Sequence, residues 1–103
     1  MDEVLEKITK IVHLYNTGEF ISKERLIKMQ RSLSSNIYFL TKYNIDAFNE
    51  WNSIVYNFDG SNASAQVKAN EEVPELRMTR KILEAAKGVS ISINNELSIM
   101  KNE

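Results

Sequence analysis

The stretch Val89-Ser90-Ile91-Ser92-Ile93-Asn94-Asn95-Glu96-Leu97-Ser98-Ile99-Met100 fits two different folds. Read locally, apolar and polar residues alternate on both sides of Asn94-Asn95, the pattern of a β-hairpin over 88–100. Read with a helical period, Ile93, Leu97 and Met100 extend a stripe that begins at Leu76, Leu83 and Ala86, with Ile82 and Val89 alongside. Ile91 and Ile99 then fall on the polar side. The rest of the chain arbitrates. It offers no obvious third strand, and an isolated hairpin is marginal. One proline and three glycines in 103 residues are too few turn residues for an all-β domain. The expected fold is therefore all-α, a four-helix up-and-down antiparallel bundle formed by residues 1–103 as one domain. A C-terminal hairpin at 88–100 is the alternative.

Working back along the chain, the helix containing this stretch is expected over about Glu75 to Met100. Pro74 sits at its first turn, where a missing N–H costs nothing, and Glu71, Glu72 and Glu75 complement the helix dipole. Its middle is small: Ala85, Ala86, Gly88, Ser90 and Ser92 permit close backbone approach. Asp59-Gly60-Ser61-Asn62 is the strongest turn signal. Between that turn and Pro74, Ala63 to Glu72 reads as a poorly packed helical extension or a loose connection.

Three further helical segments precede the turn. From about Asp2, an N-cap candidate, to Tyr15, the residues Val4, Leu5, Ile8, Ile11, Val12 and Tyr15 form one stripe, and Gly18 suits a left-handed stop. Ser22 is an N-cap candidate for a second segment, and Ile21 before it is expected to staple onto Leu26. Its core stripe is Leu26, Met29, Leu33, Ile37 and Leu40, reaching about Lys42. A third segment starts near Asp46, another cap candidate, and reaches Phe58. Ile45, Phe48, Trp51, Ile54, Val55, Tyr56 and Phe58 cover more than half of its circumference, so it is expected to be buried on two sides, centrally or against a partner. Pairs four apart, Glu3–Lys7, Glu6–Lys10, Glu24–Lys28 and Arg80–Glu84, are expected to support the solvent faces.

Seven of the nine aromatics lie in the middle of the chain: Tyr38, Phe39, Tyr43, Phe48, Trp51, Tyr56 and Phe58. Tyr38 and Phe39 flank the basic face of the second segment instead of joining its core stripe. Aromatics dominate interface energetics, so Tyr38, Phe39, Trp51 and Tyr56 are the candidate partner-binding residues. The expected function is that of a small protein-binding or regulatory module. It would occupy a surface of a larger protein, as an inhibitor or modulator, or associate with itself as a homodimer.

Charge supplies the rival. Residues 21–43 carry five bases against Glu24, net +4, whereas residues 44–75 carry Lys68 against six acids, net −5. Alternating signs favour antiparallel neighbours, or one basic segment facing an anion. Lys28, Arg31, Arg77, Arg80 and Lys81 are the candidate anion-binding residues, for a nucleotide or nucleic acid as partner. The overall charge of −1 is a poor match to general nucleic-acid binding.

Other chemistry is scarce. There is no cysteine, which excludes disulfides and thiolate chemistry. His13 is the only histidine and reads as a surface residue. The serines lack a nucleophile-elbow context, and Gly18, Gly60 and Gly88 form no phosphate loop. Neither an enzyme nor a bound metal or cofactor is expected. No apolar run approaches the ~20 residues of a membrane span, and the acidic N-terminus lacks the features of a signal peptide. The expected setting is the cytoplasm, without a membrane partner.

Overall fold

A computed structural model describes residues 1–101. Among them four helices form, α1 (Asp2–Asn16), α2 (Lys23–Asn57), α3 (Asn62–Glu72) and α4 (Glu75–Lys101), and no strand. The hairpin alternative at 88–100 is not adopted. α4 passes through it unbroken, burying Val89 and Ile93 and leaving Ile91 and Ile99 exposed. Helical phase wins because it brings Val89, Ile93, Leu97 and Met100 onto the main core together.

The second and third expected segments are one helix. α2 runs 35 residues without a break, about 52 Å of helix. Asp46 lies inside it and caps nothing. Asn44, also a turn-forming residue, is drawn into a tertiary contact: its Nδ2 donates to Thr79 Oγ1 at 2.7 Å and to the Leu76 carbonyl at 3.2 Å. Glycine and proline are absent from 23–57, so nothing forces a stop.

The stretch 63–72 is neither extension nor loose connection. Ser61 caps it, accepting from the Ser64 amide at 3.2 Å. Ala65 and Ala69, four apart, are buried against the rest of the fold. Alanine supplies little apolar signal in a sequence but allows two helices to approach closely. α3 ends at Val73, and Pro74 precedes the first turn of α4.

Hydrogen bonds give the layout. Gln30 of α2 bonds Ser90 and Asn94 of α4, Asn44 bonds Thr79, and Trp51 bonds Asn70 of α3. As α2 descends in number from 51 to 44 to 30, its partners ascend from 70 to 79 to 94. α3 and α4 thus run in succession along α2, both antiparallel to it. Tyr15 of α1 meets Glu96 at 2.9 Å, so the C-terminal ends of α1 and α4 lie together.

Two cores result. The larger joins α1, the first half of α2 and most of α4 around Ile8, Leu26, Met29, Leu33, Leu40, Leu83, Ala86 and Ile93. The smaller joins the second half of α2 to the α3–α4 junction through Ala47, Val73, Leu76, Trp51 and Ile54. The molecule is a rod of 61 × 24 × 21 Å with a radius of gyration of 17.5 Å. A compact domain of this length would be nearer about 13 Å.

Smaller departures follow the same logic. Met1, not Asp2, occupies the cap position of α1, without a side-chain bond. Gly18 takes the left-handed stop with φ +77°, and Ser22 caps α2 through the Arg25 amide. Among the described residues the ion pairs are Glu3–Lys7 and Lys68–Glu72; Glu6–Lys10, Glu24–Lys28 and Arg80–Glu84 stay apart. Gly88 is not a close-approach residue, because a Cβ there would meet nothing within 4 Å.

Candidate protein-docking surface

The second half of α2 is where the rod is thinnest. α1 is 15 residues long and reaches only the first half of α2, while α3 and the start of α4 cover one side of the second. The wide apolar arc expected to be buried on two sides is therefore buried on one. Ala47 is buried and Trp51, Ile54 and Val55 are half-buried, but Ile45, Phe48 and Tyr56 are exposed.

Tyr38 is 66% exposed, Phe39 51% and Tyr56 88%. Tyr38 and Tyr56 are 18 residues apart, five full turns, so they lie on one line about 27 Å apart. Ile45 lies between them near the same line, and Phe48 at its edge. This line faces away from Leu33, Leu40 and Ala47. Tyr38 and Phe39 meet edge to face with centroids 5.5 Å apart. The two rings touch each other while both remain largely in water.

Trp51 sits on the other side of α2. Its ring stacks on Phe48 at 6.2 Å and 16°, and its Nε1–H donates to Asn70 Oδ1 at 2.9 Å. The indole is thus fixed by α3. It also closes a shallow cleft of roughly 180 Å³ with Phe48, Gln66, Asn70, Leu76, Arg77 and Arg80.

The five basic candidates do not converge. Arg77 and Arg80 flank this cleft, unpaired with any carboxylate among the described residues. Lys81 points to a different groove, shared with Ile8, Thr9, Val12, Ile82 and Ala85 between α1 and α4. Lys28 and Arg31 lie on the first half of α2, exposed and remote from Arg77. The residues that sequence reasoning missed are Asn70 and Gln66, which shape the cleft, and the exposure of Ile45 and Phe48. No local signal marks Asn70, since its role depends on α3 folding back onto Trp51.

At the opposite end, Tyr15, Gly18, Glu19, Phe20, Ile21, Leu26 and Glu96 line a larger open cleft. Burial, reinforced by the hydrogen bond to Glu96 and by its charge, pushes the Tyr15 hydroxyl above its ordinary value near 10. His13 is exposed, and no cluster of three or more His, Asp or Glu side chains that could hold a metal ion occurs among the described residues. No helix among them is long and apolar enough to cross a membrane.

Comparison with known protein families, characterised proteins and solved structures finds no match to this chain.

Proposed function

We propose that this protein is a small binding module that acts by occupying a surface of another protein chain, blocking or modulating what that surface does. One observation carries this: Tyr38, Phe39, Ile45, Phe48 and Tyr56, five large apolar side chains, stand exposed on a single continuous helix. Soluble proteins seldom leave such side chains uncovered in a group without a partner for them. A rigid helix presenting aromatic anchors at whole-turn spacing suits binding in a groove or against a second helix.

A second reading draws on a different feature. Arg77 and Arg80, in no ion pair among the described residues, flank the Phe48–Trp51 stack, an arrangement that suits a phosphate beside a planar base. The two readings separate on mutation. Tyr38→Ala and Tyr56→Ala should leave the helical spectrum intact and weaken partner capture by about 1–4 kcal/mol. Arg77→Glu with Arg80→Glu, the two bases of the cleft beside Trp51, should act less strongly, and mainly through salt dependence. Calorimetry of both sets against one captured partner decides between them. If the charge reversals abolish binding and the tyrosine truncations leave it unchanged, the anion-binding reading replaces the first. Trp51 is the only tryptophan, so its emission on titration with ATP or a single-stranded oligonucleotide tests the second reading directly.

A further inference from the structure

We infer that the outer side of α2 docks against the same surface of a second copy of this chain, the two helices antiparallel about a two-fold axis at Ile45. The inference rests on the proposal that this side of α2 binds protein, and it names the partner. Distribution of charge along the helix selects that partner. Before Ile45 the outer side and its flank carry Lys28, Arg31 and Lys42, against the single acid Glu24; after it come Asp46 and Glu50, then Asp59 just past the helix end. All of these are exposed, and none takes part in an ion pair among the described residues. Lys42 and Asp46 stand one turn apart on the same helix and still do not pair.

A helix face that is basic at one end and acidic at the other complements itself only when antiparallel. Parallel pairing would set like charges against like. A two-fold axis at Ile45 rests that side chain on its own symmetry mate. It sets Lys42 of one copy between Asp46 and Glu50 of the other, and Arg31 towards Asp59. Tyr38 then lies over Asn49 and Asn52 of the second copy. Each contact away from the axis occurs twice, as in any isologous dimer. Between the large residues the face carries Ser34, Ser35, Asn49, Asn52 and Ser53, short side chains compatible with helix axes about 8–10 Å apart. The core-facing side of α2 is the one packed on the other helices, so none of the described helices obstructs this approach.

Sedimentation velocity over a concentration series tests the pairing. The unmodified chain should form a dimer that weakens as salt rises. Lys42→Glu alone and Asp46→Lys alone should each raise the dimer dissociation constant about tenfold or more, since like charges then meet at both symmetry-related contacts. An equimolar mixture of the two variants should recover the unmodified affinity as a mixed dimer, because each contact again joins a cation to an anion. The double variant Lys42→Glu/Asp46→Lys should recover it as well. Circular dichroism confirms that each variant is folded, and the mixed-dimer recovery excludes unfolding as the cause of weakening. A chain that is monomeric at every concentration, or variants whose mixture does not recover, would overturn the inference. If the chain is monomeric yet Tyr38→Ala still abolishes capture of another protein, the self-pairing fails and the docking surface stands. If Tyr38→Ala affects neither, both fail.

Discussion

Gly88 is exposed inside a 27-residue helix, with open space where a Cβ would go. Its only effect on the folded state is therefore the cost of its backbone freedom. Gly88→Ala is expected to raise stability by about 0.5–1 kcal/mol, read as a shift in the denaturant midpoint at constant slope. An unchanged or lowered midpoint would mean that the position serves a contact outside the monomer. Tyr15 gives a prediction in pH. Its hydroxyl is held protonated in the fold by burial and by Glu96. A group whose folded value is raised contributes stability that is fully present below its unfolded value, near 10, and is lost as pH rises through the folded value. Stability should thus fall on the alkaline side of about pH 10, and Tyr15→Phe should flatten part of that fall. Denaturant melts at a neutral and a strongly alkaline pH, run on both proteins, check this through the difference of differences.

At the scale of elements, α2 and α4 share a seam of three–four spacing. In α2 it passes through Leu26, Gln30, Leu33, Ile37, Leu40, Asn44, Ala47, Trp51 and Ile54 without slipping phase. That unbroken seam was the available sign that 23–57 is one helix. It was obscured because Asp46 and Asn44 resemble cap residues and because Gln30 and Asn44 are polar. The structure uses those two polar positions to fix the alignment of α2 and α4, through Ser90 and Asn94 at one end and Thr79 at the other. Among the described residues Gln30 Oε1 has no hydrogen-bond partner, a local cost of that layer. α3 is expected to be the least stable element: it has 11 residues, its buried side chains are two alanines, and its other contacts are a serine cap, the Asn70–Trp51 bond and Lys68 over the Phe58 ring. Ser61→Ala should cost about 1 kcal/mol. The loss should appear as faster amide exchange confined to α3 and the second half of α2. Uniform acceleration across the chain would show instead that α3 melts only with the whole.

For the whole molecule, a rod with two unequal cores predicts two levels of stability. Amides of 26–40 and 83–97, around Leu33 and Ile93, should exchange through global unfolding. Amides of 48–72, around the smaller core, should exchange through a lower-energy opening. Leu33→Ala, at a fully buried site, should cost about 2–5 kcal/mol and bring the two levels together. A single exchange level in the unmodified protein would mean that the continuity of α2 couples the cores completely. The elongated shape also accounts for the uncovered side of α2. A chain of 103 residues drawn out to 61 Å has too few helices to surround α2 along its length, so one side of α2 stays in water.

Legible in the residues alone were the helical class, the stop at Gly18, the cap at Ser22, a break around Asp59-Gly60 and the core stripes of α1, α4 and the first half of α2. These follow from periodicity and from the backbone preferences of single residues, which act over a few positions. It also marked Tyr38 and Phe39 as surplus to the core, because a helix stripe of fixed width has no room for them. Tertiary packing was needed to show that 62–72 folds back as a helix of its own, and that Arg77 and Arg80 line one cleft with Phe48 and Trp51 while Lys28, Arg31 and Lys81 go elsewhere. Those outcomes depend on which sides of distant segments meet. Asn44 becomes a helix-interior residue because Thr79 waits across the interface, and the two alanines of α3 become core because α2 lies against them. Partners 19 to 64 positions apart cannot be named from the local pattern of either segment alone.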